Sequence, residues 1–223
     1  MSNTGDESNG RALTQEIEDA RRMVLDEGRP DAVARQHKYG KYTARERIAR
    51  LCDGASFHEY GSLVEPLRDT GFNKDLVAPA DGVITGSGMI DGRPVSLLSR
   101  DYTVLGGSTG KHGADKANRA VTQATEQGLP FVALQEGGGH RIQDGQDSRH
   151  FSAASPVFEF LARNSGWVPT AMAMLGQGFA GPTNWAALAD FVVMVRGQAT
   201  MGMAGPALVK AGLGQEIDKE ALG

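Results

Sequence analysis

Two strand-to-turn junctions hold the residues whose types and spacing suit chemistry. In Phe131–Gly145, FVALQEGGGHRIQDG, an apolar run stops at Gly137, Gly138 and Gly139, and His140 and Arg141 follow at once. Further along, the apolar run from Val168 to Leu175 passes into GQGFAGPTNW, where Phe179, Ala180 and Gly181 stand just ahead of Pro182. Glycine at the end of a buried strand lets the backbone approach a ligand closely, and a helix N-terminus behind it offers unpaired N–H groups and the positive end of the helix dipole. If the N–H of Gly138 or Gly139 and that of Ala180 or Gly181 converge, they can hold the oxygen of a thioester enolate. Losing one such donor typically costs about 3 kcal/mol of barrier. Pro182 occupies a first-turn position where a missing N–H is no loss, so Ala180 and Gly181 are the last free donors before that helix. The plainer alternative is that these glycines only permit tight turns.

His140 is placed as an acid, a base or an anion contact, or as a packed residue beside the turn. Arg141 reads as structural, paired with Asp144, Asp147 or Glu136. No Ser-His-Asp order, nucleophile elbow, phosphate-binding loop or HExxH motif is present, so nucleophilic, phosphoryl-transfer and zinc-protease chemistry lack support. Gly86-Ser87-Gly88 and Gly106-Gly107-Ser108 do not extend into a dinucleotide fingerprint, since Asp91 stands where the first would need its third glycine.

The elements that must position these turns read as a regular α/β series. Strands are expected over 83–90 and 94–99, joined at Asp91-Gly92, then a helix from behind Ser108 to about Gln127. Strand 130–135, a helix over 148–164, strand 168–175, a helix over 182–189, strands 191–196 and 199–203, and a helix opening at Pro206 complete the order. Repeated strand–turn–helix units with buried strands imply largely parallel pairing. Upstream, residues 1–10 are expected to be a disordered start. Leu13, Ile17, Ala20 and Val24 predict an amphipathic helix over 11–27, stopped by Gly28-Arg29-Pro30. In the basic stretch that follows, Thr43 and Glu46 stand in the capping-box relation and mark a helix over 44–51. Its cations, including Arg35, Lys38, Lys41, Arg45, Arg47 and Arg50, are either a solvated face or a contact for ligand phosphates.

Bulk composition restricts the function classes. The chain has 223 residues, 40% of them hydrophobic, enough for one substantial core, and a net charge of −4 that gives no reason to expect nucleic acid or an acidic membrane surface as partner. Cys52 is the single cysteine, which excludes an internal disulfide and a multi-cysteine zinc site; no metal is expected. No apolar run reaches the roughly 18 residues of a membrane helix, and a cytoplasmic location is the simplest expectation.

The stretches KYTARERIARL, DYTVLGGSTG, EGGGHRIQDG, GQGFAGPTNWAALADF and MAGPALVKAGLG, in that order, resemble the N-terminal half of a biotin-dependent acyl-CoA carboxyltransferase, the beta chain of propionyl-CoA and methylcrotonyl-CoA carboxylases. Family chains carry TARERI, DFTVxGGS, SGGARIQEG and GPCAGGA at the corresponding places. The resemblance implies a crotonase fold of repeated ββα units with an N-terminal helical extension, residues 11–223 forming one acyl-CoA-binding domain. It implies carboxyl transfer from carboxybiotin to the α-carbon of an acyl-CoA through an oxyanion-stabilised enolate. Coenzyme A then belongs to the substrate, and biotin to a partner carrier. On that pattern Ala180 and Gly181 supply the oxyanion hole, with Gly138 and Gly139 lining it. Phe179, Gly106, Gly107, Lys116, Arg45 and His140 are the expected substrate contacts. Expected partners are the biotin carboxyl carrier or biotin carboxylase subunit and a C-terminal carboxyltransferase half, in an oligomer.

Departures from the pattern bear on specificity. Ala180 stands where the family has the first of two glycines, Pro182 follows, and Phe179, Asn184 and Trp185 are bulkier or more polar than usual. His140 replaces an alanine and Gly137 a serine. Because family chains continue into a second domain, this one is expected to be an excised domain or one subunit of a split enzyme, inactive in transfer by itself. The same turns would also serve an acyl-CoA decarboxylase component or a non-catalytic CoA-binding module.

Overall fold

A computed structural model describes residues 4–68, 74–145 and 156–222. The first helix, α1 (Thr4–Val24), begins earlier than its apolar spacing predicts, so residues 4–10 are helical where a disordered start was expected. Once a helix is nucleated, each added residue gains a hydrogen bond for a single fixed backbone unit. Its stripe is only partly covered: Val24 is buried, whereas Leu13 and Ile17 are exposed. Pro30 ends nothing downstream of it; it opens a helix that spacing did not indicate, α2 (Pro30–Lys38), at a first-turn position. Helix α3 (Ala44–Leu51) has the expected capping box, in which Glu46 N–H donates to Thr43 Oγ1 at 3.1 Å and Thr43 N–H to the Glu46 carboxylate at 2.8 Å.

Strand β1 (His58–Tyr60) pairs antiparallel with β2 (Val83–Ile90), which forms a hairpin with β3 (Arg93–Arg100). Asp91 and Gly92 both have positive φ, the tight hairpin turn that the Asp-Gly dipeptide favours. After α4 (Lys111–Gln127), strands β4 (Phe131–Gly137) and β5 (Thr170–Phe179) join in parallel. Short helices α5 (Ile142–Gly145) and α6 (Val157–Asn164) lie between them in sequence; the first part of the helix expected over 148–164 falls outside the described residues. Helix α7 (Gly181–Ala187) follows β5. The strands β6 (Phe191–Met194) and β7 (Thr200–Gly202) then pair with successive stretches of β5, again in parallel, before α8 (Pro206–Leu213) and α9 (Lys219–Leu222). The sheet order is β1-β2-β3-β4-β5-β6, so the antiparallel pairs sit at one edge.

Strand alternation divides the core between the two faces. Leu98, Phe131, Ala133, Met172 and Met174 pack with Val121 and Ala124 of α4, Leu161 of α6 and Trp185 of α7. Leu97, Ile84 and Leu134 meet Ala44 and Ile48 of α3 on the other face. The last sheet position is uncovered: Phe191, Val193 and Met194 of β6 are all exposed. Met203, just past β7, is exposed too. No helix among the described residues is long and apolar enough to cross a membrane.

Strand β5 runs further than its apolar run predicts. It continues to Phe179, so Gly176 and Gly178 belong to the strand and not to a turn. A side chain there has no room: a Cβ on Gly176 would overlap the Glu136 carboxylate, and one on Gly178 the Met174 methyl. The turn itself is confined to Ala180.

Candidate functional site

Three turns at the C-terminal ends of β3, β4 and β5 are in direct backbone contact. Gly107, with φ +69°, lies against the Glu136–Gly137 backbone, and a Cβ on either Gly107 or Gly137 would run into the other loop. At the next junction Gly139, with φ +76°, is so close to the β5 turn that a Cβ would stand 3.1 Å from the Phe179 carbonyl and 3.6 Å from the Gly181 nitrogen. Both conformation and space therefore demand glycine at these points. A short parallel bridge holds the layers in place: Thr109 N–H donates to the Gly139 carbonyl and Arg141 N–H to the Thr109 carbonyl, each at 2.8 Å.

The β5 turn assigns its donors differently from the sequence expectation. Ala180 sits at φ 55°, ψ −112°, a strained conformation for a residue with a side chain, costing on the order of 1–3 kcal/mol. Its N–H is already used, donating to the Gly202 carbonyl of β7 at 3.0 Å. Ala180 is therefore corrected from oxyanion donor to turn former. Gly181 is the first residue of α7, so its N–H has no intrahelical acceptor, and none is recorded among the described residues. The Gly139 N–H is likewise without an assigned acceptor there. Thr183 steadies the turn by donating its hydroxyl to Gly178 O at 2.8 Å while accepting the Gly202 N–H at 3.1 Å. Gly138 is exposed with open space around it. The Gly139 and Gly181 N–H groups, on adjoining turns, thus have no backbone or side-chain acceptor among the described residues.

Buried ion networks fix the turns from beneath. Glu136, fully buried, accepts from Lys41 Nζ at 2.7 Å, from Gln36 Nε2 at 3.1 Å and from Arg47. The basic segment, expected to be either a solvated face or a phosphate contact, is thus partly spent on one carboxylate, which also anchors α2 and α3 to the end of β4. On the other side Arg141, 1% exposed, pairs with Asp81 and donates to Ser108 O at 3.2 Å. Asp81 and Asp144 in turn accept Gly113 N–H and Lys111 N–H at 2.7 and 2.9 Å, placing two carboxylates at the positive end of α4. Burial raises the Asp81 carboxyl above its ordinary range despite the opposing pull of Arg141. Pairing of Arg141 with Asp144, at 3.8 Å, was legible from spacing; Asp81, far upstream in the sequence, was not.

The remaining expected contacts separate. Arg45 is corrected from substrate contact to brace: it forks onto Glu59 at 2.7 and 3.2 Å and donates to Val24 O at 2.9 Å. Phe179 turns its ring toward Gly202 and Gly205. Gly106, at φ +64°, is open on the outer side of its loop. His140 is exposed at the turn, its imidazole lowered by burial of part of the ring and by Arg141, against the pull of Asp144. Lys116 donates to the carbonyls of Ala80 and Val83 and is pushed down to about 8 by desolvation. It lines the side of a cleft of about 690 Å³ with Tyr60, Val64, Thr85, His112 and Arg119. Among the described residues no three His, Cys, Asp or Glu side chains cluster as metal ligands would.

Comparison with known proteins identifies the family. Residues 35–223 match the family model of the carboxyl transferase domain. The chain is 38% identical over 210 residues to the methylmalonyl-CoA carboxyltransferase 12S subunit of Propionibacterium freudenreichii subsp. shermanii, covering 94% of this chain and 39% of that one. It is 36% identical over 218 residues to the human mitochondrial propionyl-CoA carboxylase beta chain, covering 97% and 40%. A crystal structure of the transcarboxylase 12S hexamer with methylmalonyl-coenzyme A and methylmalonic acid bound superposes with a TM-score of 0.86 at 35% identity, over 96% of this chain and 41% of that one. The chain therefore spans about two fifths of the length of these relatives. The fold is the crotonase-type α/β fold, with β2–β3–α4 as its opening ββα unit.

Proposed function

This chain belongs to the carboxyl transferase family, and from that premise we propose that it is the acyl-CoA-binding part of a biotin-dependent acyl-CoA carboxyltransferase. The observation that carries the reading is the pair of unpaired N–H groups on Gly139 and Gly181, held on touching turns. An acyl thioester whose carbonyl oxygen accepts from both has a more acidic α-carbon, because the charge that develops on the oxygen as the proton leaves is met by fixed dipoles. The positive end of α7 adds to that field. No side-chain nucleophile is needed. The chain's contribution is positioning and stabilisation of charge, which agrees with turns rich in glycine and supported by ion networks.

Biotin, when bound, supplies the carboxyl group, and in this reading it arrives on a separate carrier subunit. The turns form an open wall, with Gly138 exposed and nothing within 4 Å of the position of its absent side chain. The opposite wall belongs to a C-terminal carboxyltransferase half, and the assembly is oligomeric. Residues 11–223 act as one acyl-CoA-binding domain. Gly106 and Gly107 border the thioester position, while Phe179 and His140 set the space for the acyl group. Lys116 offers a cation to the phosphates from its cleft.

The test is carboxyl transfer from carboxybiotin to a panel of acyl-CoA thioesters, with and without a chain resembling the C-terminal half. Transfer that requires both chains is the expected result. Absence of both transfer and acyl-CoA binding in the paired state would overturn the proposal.

A further inference from the structure

Arg100 is a buried cation that no carboxylate among the described residues neutralises. It closes β3 on the face of Leu98, with 4% of its surface exposed. Its Nε donates to Gln135 Oε1 at 2.6 Å, another guanidinium nitrogen donates to Thr109 Oγ1, and the group lies 5.5 Å from the centroid of the Trp185 ring. All three partners are neutral. Among the described residues no carboxylate reaches ion-pairing distance, whereas Arg29, Arg47 and Arg141 each have one, in Asp101, Glu136 and Asp81. Gln135 adds to the imbalance, because its Nε2 is buried without an acceptor. Desolvation draws Arg100 down to about 10, which leaves it charged at neutral pH.

An unpaired buried charge is costly, so its retention calls for a compensating role. The three partners come from the three elements that carry the turns. Thr109 is hydrogen-bonded to Gly139 and Arg141, Gln135 lies two residues before Gly137, and Trp185 follows Gly181 by one turn of α7. All three contacts thus tie the guanidinium to the elements that carry the Gly139 and Gly181 turns.

Taking the acyl-CoA reading above as its basis, we infer that Arg100 is a positioning residue for charge: it sits behind the turns and favours an anionic thioester oxygen over the neutral carbonyl. At an effective dielectric near 20, a unit charge roughly 10 Å from an oxyanion shifts the ratio of anion to neutral form roughly ten- to twentyfold.

Two CoA thioethers separate this effect from structure. One carries a nitroalkane, whose ionised nitronate bears oxyanion charge and absorbs in the near ultraviolet; the other carries a neutral alkyl group of the same size. Both are titrated into the protein in its native assembly, with Arg100→Met and Arg100→Lys beside the wild type. In Arg100→Met the nitronate is expected to bind about tenfold more weakly and the apparent pKa of the bound nitroalkane to rise by about one unit, with the neutral thioether unaffected. Arg100→Lys, which restores the charge, is expected to recover most of the nitronate affinity. An unchanged nitroalkane pKa in a folded Arg100→Met protein, or equal weakening of both ligands, would overturn the inference while leaving the acyl-CoA reading intact. If Arg100→Met does not fold, Arg100→Gln replaces it under the same criteria. Failure of both thioethers to bind the wild type would overturn the acyl-CoA reading, and the inference with it.

Discussion

Replacing Gly181 by proline removes an N–H at the β5 turn that has no acceptor among the described residues. At the first position of α7 that N–H has no intrahelical acceptor, and proline is well tolerated there, so no hydrogen bond of the fold is lost. A structural cost arises one residue earlier. Ala180 sits at ψ −112°, outside the extended region preferred before proline, and forcing that conformation costs on the order of 1–2 kcal/mol. For a chain of this size the melting temperature should then fall by only a few degrees, at about 2–4 °C per kcal/mol. Loss of an oxyanion donor is larger, about 10²–10³ in kcat. Gly181→Ala is the control: its Cβ would meet nothing within 4 Å, its φ is not positive, and the N–H is kept. Turnover of Gly181→Ala should stay within about threefold of wild type, with a slight gain in stability from the stiffer unfolded chain. The assay is initial-rate carboxyl transfer in the native assembly, with thermal melts run on the same preparations. Turnover by Gly181→Pro within threefold of wild type would refute the assignment, as would an equal loss in Gly181→Ala.

Other expectations test the scaffold. Gly107→Ala should lower stability by about 2–4 kcal/mol, seen as a drop in the urea midpoint, because its Cβ would strike the Glu136 carbonyl; Gly106→Ala, also at positive φ but in open space, should cost about 1 kcal/mol. Glu136→Gln leaves Lys41 and Arg47 around a neutral amide and should cost about 3–5 kcal/mol by the same measurement, with a smaller loss arguing against the buried network. Lys116 should react with an amine-specific reagent with a midpoint near pH 8, well below surface lysines, and a midpoint above about 9.5 would contradict its desolvation. The sign of the linkage follows: folding disfavours the charged amine, so the contribution of Lys116 to stability is unfavourable below about pH 8 and improves as pH rises toward the unfolded value of 10.5. Lys116→Met should abolish that alkaline rise, measured by denaturant titration from pH 7.5 to 10.5.

Local sequence determined a good deal of this protein. Asp91-Gly92 and Thr43–Glu46 fix their turn and cap because the interactions involved span only a few residues, and apolar runs between glycine clusters mark β3, β4 and β5. The motif series, in order, indicated the family and the fold. Tertiary structure decided which groups of the site are free. Only the pairing of β7 beside β5 brings Gly202 to the Ala180 N–H and thereby passes the donor role to Gly181. Partners remote in sequence likewise decide that Arg45 meets Glu59, that Glu136 gathers Lys41 and Arg47, and that Arg100 meets Gln135 and no carboxylate among the described residues. A residue type specifies what a group can bond, but whether that bond is already made depends on strand register and on which helix packs against which strand.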